Sequence, residues 1–256
     1  MQHVRPKKAL GQHFLTDQHI AQAIVDALRG PGPVLEVGPG TGVLTQYLLR
    51  RPELQLKVVE LDRESVRYLL EHYPVLAPGL YEADFLKLDL RKVFPGQFVL
   101  IGNFPYNISS QIFFKILDCR DQIPEVVGMV QKEVAERLSA GPGSKTYGIL
   151  SVLLQAWYDI ELLFTVQEGA FLPPPKVKSA VIRLTRNKRE TLGCDADLFK
   201  QVVKTTFNQR RKTIRNSLKP LLAQRSALPD YIPFLDARPE QLSVEEFVEL
   251  TNSLSL

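Results

Sequence analysis

The chain has 256 residues, 45% of them hydrophobic and 23% charged, the balance of an ordinary globular protein with room for one sizeable core and a smaller second unit. No apolar run approaches the roughly 18 residues of a membrane span, and Met1 to Lys8 has no apolar stretch behind its charges, so the expectation is a cytoplasmic protein with no membrane attachment. Cys119 and Cys194 lie far apart, and His3, His13, His19 and His72 show no ligand spacing, so neither a disulfide nor a metal site is expected.

Lys and Arg number 32 against 28 Asp and Glu, a net charge of only +4. The distribution is more telling. Residues 1–16, 176–189 and 200–225 are basic and free of acid, whereas residues 226–256 carry one Arg among six acids. Any one basic run could be a solvated face, but such segregation is the footprint of a polyanion, and nucleic acid is the favoured partner.

Asp17 stands as an N-cap before a helix over 18–29, and Pro31-Gly32-Pro33 turns into a strand at 34–37. The pattern then predicts a helix at 43–50, a strand at 57–61, a helix at 63–72, and strands at 80–82 and 98–101. A helix at 109–118, a strand at 126–131 and helices at 132–139 and 145–156 continue the series. This alternation means an α/β fold with a mostly parallel sheet covered by helices on both faces. Residues 159–166 and 180–186, joined through Pro173-Pro174-Pro175, read as an antiparallel addition at the sheet edge. Helices at 195–207, 208–223 and 243–250 form a small all-helical C-terminal domain, so the division falls at 1–190 and 191–256.

The strand at 34–37 runs into Gly38-Pro39-Gly40-Thr41-Gly42. Glycines let the backbone approach a ligand, and the following helix start offers N–H groups. A dinucleotide fingerprint would need glycine at 43, where Val43 stands; a smaller nucleoside cofactor is favoured, S-adenosylmethionine first among them. Such a turn can also be purely structural. Two acids change the balance. Glu60 ends the second strand, where a carboxylate can accept ribose hydroxyls, and Asp84 ends the third, where it can accept from an adenine amine. Each alone could be a solvated turn; with Gly38 and Gly40 they converge on one crevice.

Asn103-Phe104-Pro105-Tyr106 follows the fourth strand. The exocyclic amine of adenine is a poor nucleophile because its lone pair is delocalised. The Asn103 amide oxygen and a backbone carbonyl aimed by Pro105 can bind its two N–H groups, and Tyr106 can stack on the base, an interaction of roughly 1–3 kcal/mol. An ordinary loop with Asn and Pro as turn formers is the plainer alternative. In the C-terminal basic stretch, a helical wheel places Val203, Phe207, Ile214, Leu218 and Leu221 on one face. Lys204, Arg211, Lys212, Arg215 and Lys219 fall on an adjoining arc, suited to RNA backbone together with Arg210, Lys7 and Lys8.

Asn103 to Tyr106 after a fourth strand resembles the amino-methyltransferases that act on adenine N6. Lys8 to Asp17, Glu36 to Gly42, Asn103 to Ser109 and Phe171 to Ser179 stand in the order seen in the ribosomal RNA adenine N6,N6-dimethyltransferases, and Phe207 to Arg215 resembles the small-subunit branch. The resemblance implies a Rossmann-like methyltransferase that dimethylates two adjacent adenosines in a hairpin loop near the 3′ end of 16S rRNA, within the small subunit or its precursor. It implies S-adenosylmethionine as donor and a monomeric enzyme. By position it makes His13, Leu15, Gly38, Glu60, Asp84 and Asn103 cofactor contacts, and Phe171 a stacking partner for the base opposite Tyr106. Position 13 is commonly Asn in that family and position 104 commonly Leu; at 104 only the carbonyl is expected to act. Two other readings stay open: a 23S rRNA adenine methyltransferase of the antibiotic-resistance type, against which Arg210-Arg211-Lys212 speaks, and a non-catalytic ribosome-assembly factor, against which Asn103 to Tyr106 speaks.

Overall fold

The computed structural model describes residues 4, 6–7, 10–223 and 230–255. Close contacts group them into two compact units, one of residues up to 135 together with 160–186, the other of 136–159 together with 187–256. The sequence pattern alone places a single division at 190.

The first unit opens with β1 (Phe14–Leu15), α1 (Gln18–Asp26), β2 (Gly32–Val37), α2 (Thr45–Leu48), β3 (Leu54–Glu60) and α3 (Arg63–His72). Next come β4 (Leu80–Glu82), α4 (Leu90–Val93), β5 (Val99–Asn103), α5 (Ser109–Asp118), β6 (Glu125–Gln131) and α6 (Lys132–Ser139). The Asp17 carboxylate caps α1, accepting from the amides of His19 at 2.9 Å and Ile20 at 3.1 Å. This helix ends three residues earlier than expected. The Leu28 amide turns back to the Val25 carbonyl, and the Arg29 amide donates to Glu125 at 3.1 Å. The helix expected over 43–50 shrinks to α2 with turns on either side.

After α6 follow α7 (Ile149–Gln155), β7 (Tyr158–Val166), β8 (Phe171–Leu172) and β9 (Ser179–Arg186). The main sheet has the order β4-β3-β2-β5-β6-β9-β7. From β4 to β6 neighbouring strands are parallel, and β9 runs antiparallel to β6, Ser179 opposite Gln131 and Ala180 opposite Val130. The antiparallel strand is therefore inside the sheet, with β7 outside it. The side chains explain the order: Ala180, Val181, Ile182 and Leu184 are all inaccessible, whereas β7 is half exposed along most of its length. β1 and β8 form a separate antiparallel pair, Phe14 opposite Leu172 and Leu15 opposite Phe171. Ile24, Val25, Leu44, Leu48, Ile101, Val127 and Met129 pack with them into one core beside the sheet.

In the second unit α8 (Ala196–Phe207) is followed by α9 (Ile214–Ser217), α10 (Lys219–Leu222) and α11 (Val244–Ser253). Phe207 anchors its core, edge-on to Tyr147 with ring centres 6.1 Å apart and stacked on Phe247 at 5.9 Å. The continuous basic helix expected beyond 208 is broken. Thr213 is extended, and the amides of Ile214 and Arg215 donate to the carbonyls of Ala237 at 2.8 Å and Leu235 at 2.9 Å. Those bonds hold 208–213 as a turn, so the basic side chains do not share one helical face. Among the described residues no helix is long and apolar enough to cross a membrane.

Candidate active site

β2, β3, β4 and β5 run parallel, so their carboxyl ends, at Val37, Glu60, Glu82 and Asn103, meet on one edge. A cavity of about 280 Å³ opens there, where ligands bind in open α/β sheets. It is lined by His13, Gly38, Gly40, Glu60, Asp84, Asn103, Phe104, Pro105 and Tyr106, together with Leu10 to Gln12, Leu61 and Phe85.

The glycine turn is shaped by close packing. Gly40 has φ +57°, and its amide donates to Glu60 Oε2 at 3.0 Å. Gly42 has φ +81°, and a Cβ there would come within 2.5 Å of the Tyr73 ring. The other Glu60 oxygen, Oε1, accepts from the Asp62 amide at 2.8 Å, so one carboxylate ties the turn to the end of β3. Burial pushes the Glu60 carboxyl above the usual carboxylate range, against the pull of these backbone bonds. Behind it Glu36 is 1% exposed and pushed up to about 8, chiefly by burial, while accepting from Thr45 Oγ1 at 2.7 Å. Asp84 accepts from the Leu86 amide at 2.9 Å, which turns its loop into the crevice mouth.

Asn103 is the last residue of β5, which runs two residues further than the expected 98–101. Its Nδ2 donates to the His13 carbonyl at 3.0 Å, which assigns the amide oxygen as its available acceptor. The Phe104 ring is inaccessible. It fills the space over Gly102 and Gly128, where added Cβ atoms would run into it, and its amide donates to Met129 at 3.0 Å. Tyr106 is hydrogen-bonded through its hydroxyl to Ser179 Oγ and lies 5.4 Å from the His13 ring at an angle of 28°. His13 Nδ1 donates to the Pro173 carbonyl at 2.9 Å, fixing the imidazole tautomer. Gly11 is needed beside this loop: a Cβ there would strike the Asn107 side chain.

Phe171 is not brought to the crevice. It is 3% exposed, paired across from Leu15 and packed in the core, so the ring facing Tyr106 is His13. Leu15 is likewise buried and borders a small cavity of about 20 Å³ beside Glu36, Gly38 and Asn103. Lys7, expected on RNA, is engaged within the chain, with Nζ 2.5 Å from Asp62 and 3.2 Å from Glu64. Lys8 lies outside the described residues. In the second unit, Arg210 donates to the Ser144 carbonyl at 3.3 Å and approaches Glu240 at 3.9 Å, and Arg215 pairs with Asp236 at 3.0 Å. Lys204, Arg211, Lys212 and Lys219 are exposed. Sequence reasoning assigns no role to Ser179 or to Leu10 to Gln12, although each sits inside a motif that it singles out.

Fold and crevice together define a Rossmann-like methyltransferase. A family model described as ribosomal RNA adenine dimethylase matches residues 4–255, and the chain belongs to that family. The ribosomal RNA small subunit methyltransferase A of Parabacteroides distasonis is 67% identical over 254 residues, covering 98% of this chain and 94% of the relative. Its counterpart in Cytophaga hutchinsonii is 59% identical over 258 residues, covering 100% and 99%. Among solved structures, a dimethyladenosine transferase from Plasmodium falciparum matches with a TM-score of 0.77 at 25% identity, over 93% of this chain and 96% of that one. The 23S rRNA methyltransferase ErmE matches with a TM-score of 0.67 at 26% identity, over 93% and 99%.

Proposed function

We propose that this enzyme is a 16S rRNA adenine N6,N6-dimethyltransferase, using S-adenosylmethionine in the crevice and acting in the cytoplasm as a monomer on the small ribosomal subunit or its precursor. The observation that carries the chemistry is Asn103, whose amide nitrogen is occupied by the His13 carbonyl so that its oxygen is left to accept. The residues present fit the donor: the glycine turn supplies close backbone at Gly38 and Gly40, and Glu60 and Asp84 supply acceptors for ribose hydroxyls and an adenine amine. Bound there, S-adenosylmethionine supplies an activated methyl group.

A loop adenosine turned out of its stack meets Tyr106 with its face and Asn103 with its amine. The Asn103 oxygen and the Phe104 carbonyl accept the two N–H groups, which localises the nitrogen lone pair for attack. The fully buried Phe104 ring holds that carbonyl in place. The methyl takes the place of one amine proton, which leaves to water at the open crevice, so a single N–H remains and the second transfer requires the base to rotate or rebind. Arg211, Lys212 and Lys219, exposed in the helical region 191–256, give RNA phosphates a cationic surface. The test is transfer of radiolabelled methyl from S-adenosylmethionine to unmethylated small subunits and, in parallel, to unmethylated large subunits, with the product mapped. Dimethyladenosine in the 3′-terminal loop of 16S rRNA is expected; label in 23S rRNA, or none, would refute the assignment.

A further inference from the structure

Tyr106 stands on a loop, yet it is held at three points. Its hydroxyl bonds Ser179, its ring lies against His13, and its carbonyl accepts from Ser109 Oγ at 3.2 Å. Ser179 belongs to the sheet, not to that loop. It opens β9 opposite Gln131 and is inaccessible, in a run whose next three residues, Ala180, Val181 and Ile182, are purely apolar. A hydroxyl in that setting must be paired, and the partner it has is the Tyr106 hydroxyl. The strand start is itself pinned by the Lys132 amide, which donates to the Lys178 carbonyl at 2.9 Å.

We propose that Ser179 is a positioning residue for methyl transfer, its buried hydroxyl fixing the plane of the Tyr106 ring on which the target base stacks. The inference rests on the proposed function and adds to it a residue that touches neither base nor cofactor. The other ring contact has the same sense. His13 covers one face of Tyr106 and is tethered by Nδ1 to Pro173, while its carbonyl holds Asn103. The ring and the accepting amide are thus referenced to one another. A tilt of the ring would carry the amine away from the Asn103 oxygen, and displacements of about 1 Å in such constellations lower rates by as much as about a hundredfold.

The experiment is a double-mutant cycle with Ser179→Ala, Tyr106→Phe and the pair, measuring kcat and KM on unmethylated small subunits and the Kd for S-adenosylmethionine. Removing either hydroxyl is expected to lower kcat about tenfold, and the pair no further, because both changes break the same hydrogen bond. Cofactor Kd is expected to stay within about twofold, a result that loss of the fold would not give. Wild-type kcat in Ser179→Ala, additive losses in the pair, or cofactor affinity falling together with kcat would each overturn the proposal. An active wild type with an unaffected Ser179→Ala overturns it alone; an inactive wild type overturns the functional assignment and this inference with it.

Discussion

The two oxygens of the Glu60 carboxylate are divided between Gly40, whose amide donates to Oε2 at 3.0 Å, and Asp62, whose amide donates to Oε1 at 2.8 Å. A glycine turn and a neighbouring strand end are thereby joined at the floor of the crevice. Removing the carboxylate strips the turn of its tie and, on the proposed function, would strip the cofactor of its ribose acceptor at once. Glu60→Ala should weaken S-adenosylmethionine binding about a hundredfold, near the upper end of the roughly 1.5–3 kcal/mol of one charged hydrogen bond. Isothermal titration checks this; unchanged affinity would remove Glu60 from the site.

Phe104 and Gly128 make a steric pair. The ring occupies the volume that a side chain at 128 would need, so Gly128→Ala should destabilise by about 1–3 kcal/mol through overpacking. Phe104→Leu should recover part of that loss in the double variant. Urea denaturation of the two single variants and the double variant measures the coupling.

Burial raises the Glu36 carboxyl from 4.5 to about 8. A carboxyl raised on folding takes up a proton as the chain folds. Its favourable contribution is therefore complete below about pH 4.5 and is lost as pH rises toward 8. Glu36→Gln should remove that slope, so that wild type loses stability relative to the variant across the window. At about 1.4 kcal/mol per pH unit of displacement the change is on the order of a few kcal/mol. Thermal melts of both proteins from pH 5 to pH 8 test the sign; parallel curves would contradict it.

Arg211, Lys212 and Lys219 are exposed, whereas Arg210 is bound to Ser144 and Glu240. Replacing the first three with Gln should weaken RNA binding and reduce its salt slope by roughly one for each phosphate that is no longer neutralised. Arg210→Gln should instead act on stability. Binding isotherms at several salt concentrations separate the two classes.

The crevice was legible in the chain because its parts are local. The glycine turn, Glu60, Asp84 and Asn103 each sit where a short apolar run ends, and parallel alternation alone brings such ends together. Helix 63–72 could be read to the residue, and the helices at about 109–118 and about 132–139 closely, for the same reason. What escaped depended on distant pairing. Phe171 is withdrawn into the core by its register with Leu15, and Lys7 is captured by Asp62 and Glu64. The continuous helix assumed over 203–221 failed because Ile214 and Arg215 bond to the 235–237 segment, which no periodicity announces. The wheel nonetheless sorts the side chains as they lie: Val203, Phe207, Ile214, Leu218 and Leu221 are buried, and Lys204, Arg211, Lys212, Arg215 and Lys219 are exposed. Ser179 escaped because a serine at the head of an apolar strand looks ordinary until its partner is known.

The central claim is that Asn103, held by His13, presents its oxygen to an adenine amine. Its most direct measurement is methyl transfer to unmethylated small subunits by wild type and Asn103→Ala, alongside the cofactor Kd of each. The account predicts near-normal cofactor binding and a loss of turnover of about a hundredfold or more in the variant. Dimethyladenosine formed by Asn103→Ala at the wild-type rate would contradict it.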